Sequence, residues 1–577
     1  MTFVTSNNRL SLNALSGFPR VLMMTVLFSV IFSSTVLAAD DPAARRRDFY
    51  DNLKILGEAY ERIINNYVDE KDPKEIMEAG VKGMLETLDE HSNYLPPVNY
   101  EDLMMSTEGE FGGLGITINI RDQYPTVVSP IEGTPAYYMG IQGGDQIIEI
   151  EGESTFDFTS RDAVKKLRGP KGTEVNITIS RPGTTEPIPL TIVRDIIHVE
   201  SVPYGFMMGD IGYIKVQNFA RTTHTELEEK LKDLTDQGMK GLILDLRFNP
   251  GGLLYAAQEV SELFLEDGQL VVFTKGRLRE QNKSYYAETR GHIYNQVPIV
   301  VMVNGSSASA SEIVSAAIQD HDAGLVVGDT SFGKGSVQTV FRLDEDEALK
   351  LTTALYYTPS GRSIHKDRKR HGDEETATMD EVPSVDLEQD PAEKETDRFD
   401  KEKFYTDSGR VVYGGGGVTP DMEIKQDYMN DFEVAVVLDQ ALFGFAVDYA
   451  NDHEGLGKDF KVSDEMFSRF KTYLGEREKL GDFLEDFNLT LSDSLMDASR
   501  DYLDRGIRRE IARRVDGPTA AYKVAIEADT QLHEALELFK KYPTLDDLLK
   551  AAADWNEEQM KILASEVAAK EEETVAN

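Results

Sequence analysis

The chain has no cysteine in its 577 residues. That absence excludes disulfides, thiolate metal sites and a cysteine nucleophile. Positive charge is also in deficit: 61 Lys and Arg stand against 102 Asp and Glu, a formal net charge of -41. Nucleic-acid binding needs basic patches, so this balance argues for no nucleic-acid partner. It implies a strongly acidic surface and says little about fold. Long apolar runs are scarce as well. Only residues 21–39, "VLMMTVLFSVIFSSTVLAA", approach the length that spans a bilayer. Arg9 and Arg20 precede this run and two aspartates follow it. A basic lead, an apolar stretch and an A-x-A-like end read as a secretory signal peptide over residues 1–39. The alternative is an uncleaved anchor, which would confine membrane contact to this one segment. Either way the bulk of the chain is expected to be exported, and without disulfides it must rely on its core.

What is present divides into five pieces. Residues 40–105 read as an N-terminal helical domain, with apolar residues at helical spacing in "IMEAGVKGMLETLDE". Residues 106–196 change period to short strand-like runs such as "GGLGITINI" and "EVNITISR", interrupted by one helix, "SRDAVKKLRG". From 197 to 429, strands such as "GLILDLR" and "PIVVMV" alternate with helices such as "ASEIVSAAIQD". That alternation predicts a mainly parallel sheet with helices packed on it. Within this piece, residues 366–411 are charged and apolar-poor and read as a flexible insertion. Residues 430–577 are acidic and helical, with "AAYKVAIEADTQLHEALELFKKY" the clearest amphipathic stretch.

The stretch "NGSSASASEI", residues 304–313, carries four serines in six positions. Ser309 to Glu312 match a helix capping box, Ser-x-x-Glu, and that is one reading. The other is a nucleophile at a strand–turn–helix junction, where free backbone N–H groups of the helix start can hold an oxyanion. On that reading Ser311 serves as the cap and Ser309 stays free. A serine nucleophile needs a base. His321 lies a helix length away, and His198, His224 and His365 sit in no recognisable setting.

A lysine is better placed. Gly328 to Lys334 spells G-x-x-x-x-G-K, but Gly335 stands where a phosphate loop needs Ser or Thr, and "SVQTVFRL" alternates like a strand. Nucleotide binding is therefore rejected, and no cofactor or metal is expected. Lys334 remains, flanked by glycines that permit close backbone approach. On a strand, Gln338 would share its face and could accept its hydrogen bond without adding charge. A lysine base must be neutral, and burial lowers its pKa by penalising the cation.

"SASASEI" followed 25 residues later by "FGKGSVQ" resembles the carboxyl-terminal processing proteases, which are serine–lysine endopeptidases. "GMLETLDEHSNYL", "FGGLGI", "GLILDLRFNPGG", "YYTPSGRSI" and "GGGGVTPD" are similar to further marks of that family, in the same order. The resemblance implies an α/β multidomain chain. Its parts would be an N-terminal helical segment, a small β-rich PDZ domain, a crotonase/ClpP-like α/β protease core and an acidic helical C-terminal region. It implies Ser309 as nucleophile, Lys334 as base and Gln338 as the orienting residue. The oxyanion would be held by the N–H of Ala310 with Gly251 or Gly252. The PDZ loop Gly113-Leu114-Gly115-Ile116 would take a substrate C-terminus, with Leu114 and Ile116 walling a pocket for an apolar last side chain. Arg168, at the end of the helix flanking that groove, either complements the helix dipole or pairs with the substrate carboxylate and switches the active site on. The expected function is an exported, periplasmic serine endopeptidase acting on proteins with apolar C-termini, with room for an adaptor protein and for a homo-oligomer. Two rivals are a catalytically dead PDZ scaffold, which would lack Ser309 or Lys334, and an exported serine hydrolase using a histidine–aspartate pair.

Overall fold

The computed structural model describes residues 42–288, 294–344, 346–366, 401–453, 456 and 460–576. The expected signal segment and residues 367–400 of the expected insertion lie outside the described residues. The chain forms two units, divided after Thr87. The first holds helices α1 (Pro42–Asn66) and α2 (Pro73–Leu85). Asp72 starts α2 by accepting the Lys74 N–H at 2.8 Å, and Pro73 sits at the first helical position, where its missing N–H costs nothing.

The second unit begins with β1 (Asn93–Leu95) and α3 (Pro97–Glu108). β2 (Glu110–Gly113) leads into a small sheet of β3 (Ile116–Arg121), β4 (Tyr124–Pro130), β5 (Gln146–Ile150), β6 (Glu153–Ser154), β7 (Glu174–Ser180) and β8 (Ile188–Val193), and β9 (Asp195–His198) leaves it paired antiparallel with β2. Alternate residues Val175, Ile177 and Ile179 of β7 are buried, the period-2 signature of a half-buried strand. Helix α4 (Ser160–Leu167) lies beside β3, whose other edge is free in the sheet order.

The central domain is built on a six-stranded sheet: β10 (Tyr204–Met208), β11 (Ile211–Lys215), β12 (Gly241–Asp245), β15 (Ile299–Val303), β16 (Leu325–Gly328) and β21 (Met422–Glu423), parallel from β11 to β21. A second sheet joins β1, β13 (Leu270–Gly276), β14 (Ser284–Tyr286), β17 (Ser336–Arg342) and β18 (Ala348–Tyr357). Alternation along the central strands explains their unbroken apolar character. Ile214, Leu242, Leu244, Val301 and Val303 face a core shared with α5 (Thr223–Asp236), α6 (Leu254–Glu262) and α7 (Ala310–Asp320). Tyr213, Ile243, Val300 and Met302 face the opposite side. A parallel sheet must bury both faces.

The tail covers that second face. Ile526, Leu532, Ala535, Leu538, Phe539, Leu548 and Ala552 form one core with it. They lie in the segment holding α8 (Pro518–Ala525), α9 (Thr530–Lys541) and α10 (Leu545–Ala576). The helices between Asp431 and Asp516 have a separate core around Phe445, Phe470 and Ile507. The tail expected from sequence as one region thus serves two cores, and its second part completes the six-stranded sheet. The insertion expected over 366–411 is shorter at its end: β19 (Lys403–Tyr405) and β20 (Val411–Tyr413) form a hairpin, with Val412 and Tyr413 buried. Alternating apolar residues in "KFY" and "VVY" carry this hairpin and stand out poorly beside so charged a run.

Candidate active site

The junction of β15 and α7 has the predicted strand–turn–helix form. Ser309 is the N-cap position and takes φ 53°, ψ -108°, a region that costs a non-glycine residue about 1–3 kcal/mol and persists only when the surroundings impose it. Those surroundings are visible. Ala308 N–H donates to Asn249 O at 3.0 Å and Ser311 Oγ donates to the same carbonyl at 2.9 Å. Ser311 therefore tethers the neighbouring loop and does not cap α7, as the sequence had suggested it would. Gly251 abuts the turn so closely that a Cβ there would fall 2.8 Å from Ser309 Cβ.

Glu312 joins the serine to the lysine. Its carboxylate is wholly buried. One oxygen accepts from Ser331 Oγ at 2.5 Å and Gly333 N at 2.7 Å, the other from Ser309 N at 2.8 Å and Lys334 N at 2.9 Å. Burial raises its pKa, and these four donors work against that rise. Tyr356 on β18 makes a second bridge. Its hydroxyl donates toward Ser309 O at 3.2 Å and also toward Lys334 O. Burial holds its pKa well above the usual tyrosine value, so it keeps the proton it donates. Ser309 and Lys334, 25 residues apart, are held together through both amides and both carbonyls.

The lysine loop is braced from behind. Gly335 packs on the His365 backbone, where a Cβ would fall 2.7 Å from His365 N. That segment is anchored by Arg362, fully buried, which donates to Asp320 Oδ1 at 2.8 Å and Gln319 Oε1 at 2.6 Å at the end of α7.

The strand-parity argument for Gln338 does not survive. Lys334 precedes β17, and the register slips between Val337 and Gln338. Gln338 Nε2 donates to Ser336 Oγ at 2.8 Å and lies 3.4 Å from Thr352 Oγ1. Thr352 in turn donates to Asp89 at 3.1 Å. The side-chain amide is thus fixed by its nitrogen.

Sequence reading missed the charges around Lys334. Burial lowers the Lys334 pKa most, and Lys350 lowers it further, while Glu312 and Glu90 pull upward. Lys350 lies on β18, paired with Asn93 of β1. His91, next to that strand, has its pKa lowered by burial and then by Lys334. No short motif could disclose this, because residues 89–95 and 350 meet only through strand pairing. A prediction follows from its sign. A lysine base works when deprotonated, so turnover rises with pH through its pKa. Lys350→Met removes a repelling cation and raises that pKa. The rising limb of the kcat/KM profile should move to higher pH, with a several-fold loss at neutral pH and recovery in alkali. An unmoved limb would refute the role given to Lys350.

Of the oxyanion candidates, Gly251 N–H donates to Asn249 Oδ1 at 2.9 Å. Among the described residues Gly252 N–H and Ala310 N–H have no recorded acceptor, so the second donor narrows to Gly252. Both glycines are required. Gly251 and Gly252 have φ 98° and 147°, and a Cβ on Gly252 would fall 2.1 Å from Phe219 O.

In the PDZ loop, Leu114 and Gly115 N–H groups have no recorded acceptor among the described residues. Gly113 is paired into β2–β9 and Ile116 into β3–β4. Leu114 is only 2% exposed and belongs to the domain core, so of the two expected pocket walls only Ile116 is exposed enough to line a groove. Arg168 is the C-cap residue of α4 through its backbone, its N–H donating to Val164 O at 2.9 Å, but its side chain does not take the last carbonyls. The Arg194 guanidinium binds them, donating to Leu167 O at 3.0 Å and Lys166 O at 2.8 Å. Arg168 instead pairs with Asp102 Oδ1 at 2.9 Å and lies over the Phe111 ring.

His321, the histidine nearest the serine helix, is occupied at both ring nitrogens, by Asp407 Oδ2 at 2.7 Å and Leu270 O at 2.8 Å.

Comparison with known proteins defines the class. Residues 210–372 match peptidase family S41, 102–180 a PDZ domain, and 432–495 the C-terminal helical domain of probable PDZ-proteases. The chain is 43% identical over 337 residues to the carboxy-terminal-processing protease of Bartonella bacilliformis, covering 58% of this chain and 77% of that one. It is 37% identical over 314 residues to the carboxy-terminal processing protease CtpA of Bacillus subtilis, covering 54% and 66%. A solved photosystem II D1 C-terminal processing protease is 26% identical, with 53% of this chain and 89% of that chain covered and a TM-score of 0.32. The chain belongs to the carboxy-terminal-processing protease family, serine-type peptidases with a PDZ domain.

Proposed function

We propose that this protein is an exported endopeptidase that captures the C-terminus of protein substrates in its PDZ groove and cleaves them with Ser309 and Lys334. The observation that carries the reading is the double bridge of Glu312 and Tyr356, which serves no purpose in a dead scaffold as well as it serves a catalytic pair. Ser309 Oγ attacks the substrate carbonyl, and neutral Lys334 takes its proton. Gln338 orients the lysine. Ala310 and Gly252 N–H groups hold the oxyanion. Water activated by the same lysine then hydrolyses the acyl-enzyme. Lys334 passes the serine's proton to the leaving amine nitrogen, then takes a proton from the attacking water and returns it to Ser309 Oγ, so the cycle closes without a cofactor.

Capture uses the free edge of β3, where an extended peptide adds a strand and its carboxylate meets the Leu114 and Gly115 amides. The Arg168–Asp102 pair is half-exposed and so weak, about 0–1 kcal/mol. A substrate carboxylate can displace Asp102. Export rests on the leader-like residues 1–39. No helix among the described residues is long and apolar enough to cross a membrane.

The test compares one substrate ending in a free apolar residue with its C-terminal amide. The free form should be cut at least tenfold faster, and equal rates would remove the PDZ capture. Arg168→Ala should slow both this substrate and a short peptide that cannot reach the groove if Arg168 aligns the active site. Loss with the long substrate alone would make it a docking residue.

A further inference from the structure

We propose that Asp529, 220 residues beyond the nucleophile in the covering tail, is a positioning residue of the active site. It holds Arg247 and, through Arg247, the loop 248–252 that presents the oxyanion donor. The inference rests on the reading of Gly252 N–H as that donor.

The loop begins where β12 ends, at Asp245. Asp245 is wholly buried. It accepts from Tyr213 OH at 2.8 Å, Lys215 Nζ at 3.1 Å, and Arg247 N, Nε and Nη2 at 2.9, 3.1 and 2.7 Å. Lys215 also donates to the Arg247 carbonyl. The backbone of Arg247 is therefore gripped on both sides, but its guanidinium extends past the sheet. There Asp529 takes it with both oxygens, Nη1 at 2.9 Å and Nη2 at 2.5 Å, and Gln531 Oε1 takes Nη1 at 3.0 Å. Gln531 is tied in turn to Ile424 O at 2.6 Å. A bidentate arginine–carboxylate pair fixes orientation as well as distance. The Arg247 side chain is only 7% exposed, so water screens this pair little.

What the grip holds is strained. Phe248, the next residue, takes φ 59° while the residue is 59% exposed. A bulky residue does not choose that backbone region by itself, and no burial of the ring compensates. The conformation is imposed by Arg247 on one side, by Asn249 on the other, whose Nδ2 donates to Val216 O at 3.0 Å, and by Asn304 Oδ1, which accepts the Phe248 N–H at 2.9 Å. Gly251 and Gly252 follow directly and touch the serine turn. Releasing the guanidinium lets Phe248 relax and carries the glycines away from Ser309.

Asp529 has a second role that the experiment must separate. It caps α9 by accepting the Leu532 N–H at 2.9 Å. Asn caps helices as well as Asp does, whereas Glu is a poor cap. Asp529→Asn thus keeps the cap and loses the charge, and Asp529→Glu does the reverse. Both are made in the full chain. The measurements are kcat and KM on a fluorogenic peptide, affinity for a peptide boronate whose tetrahedral adduct occupies the oxyanion site, and the thermal midpoint. Asp529→Asn should lose about tenfold in kcat, with boronate affinity falling by the same factor, KM within about twofold and the midpoint little changed. Asp529→Glu should melt lower yet retain more kcat. The proposal is overturned if kcat follows the melting order, if Asp529→Asn keeps full kcat, or if kcat falls while boronate affinity does not. Replacing the Gly252 amide by an ester removes its N–H and otherwise only weakens Gly251 O as the acceptor of Phe219 N–H. An intact rate there overturns the Gly252 reading on its own, whatever the Asp529 variants do.

Discussion

Lys334→Arg should be inactive, with a rate reduced about 10⁴-fold or more, the usual scale for losing a member of a catalytic unit. Arginine stays protonated in proteins, so it cannot accept the serine proton. Ser309→Ala should be equally inactive, and the double variant no worse, because two residues that act as one unit are lost together. All three should fold. The Lys334 backbone bonds to Glu312 and Tyr356, and these hydrogen bonds survive a change of side chain. Circular dichroism and thermal unfolding check the fold, and peptide hydrolysis checks the rate. Substantial turnover by Lys334→Arg would end the serine–lysine reading. Gln338→Ala should be slower but active, since it removes orientation and leaves the proton acceptor.

Glu312→Gln should be the most damaging change at a residue that touches no substrate. Each carboxylate oxygen of Glu312 accepts two donors. An amide keeps one acceptor and turns an N–H₂ group on the other pair. Two buried donors then face a donor, at about 1–3 kcal/mol for each left unsatisfied. The lost bonds are those that place Ser309 against Lys334. A displacement of about 1 Å between reacting groups costs about a hundredfold. The expected result is a thermal midpoint lower by several degrees and kcat reduced about a hundredfold, with KM little changed. A variant that melts early but turns over at the normal rate per folded molecule would show that Glu312 supports the fold and not the pair.

The sequence by itself determined the parts whose chemistry is local. Ser309 at a strand–turn–helix junction, the glycines around Lys334, the PDZ-like loop and the alternation of the core strands were legible because turns, caps and periodicity act over a few residues. Glu312 was visible too, but only as half of a capping box. What it bridges was not, since Ser331, Gly333 and Lys334 reach it across the core. The tertiary structure alone decided the rest. It gave the last carbonyls of α4 to the Arg194 side chain and turned the Arg168 side chain to Asp102. It brought Lys350, His91 and Glu90 around Lys334 through the pairing of β1 with β18. It closed the second face of the sheet with residues 526–552 and laid Asp529 on Arg247. None of these follows from spacing, because strand pairing and face-to-face packing join residues tens to hundreds of positions apart, and a lysine becomes a base only where burial and neighbouring charge make it neutral.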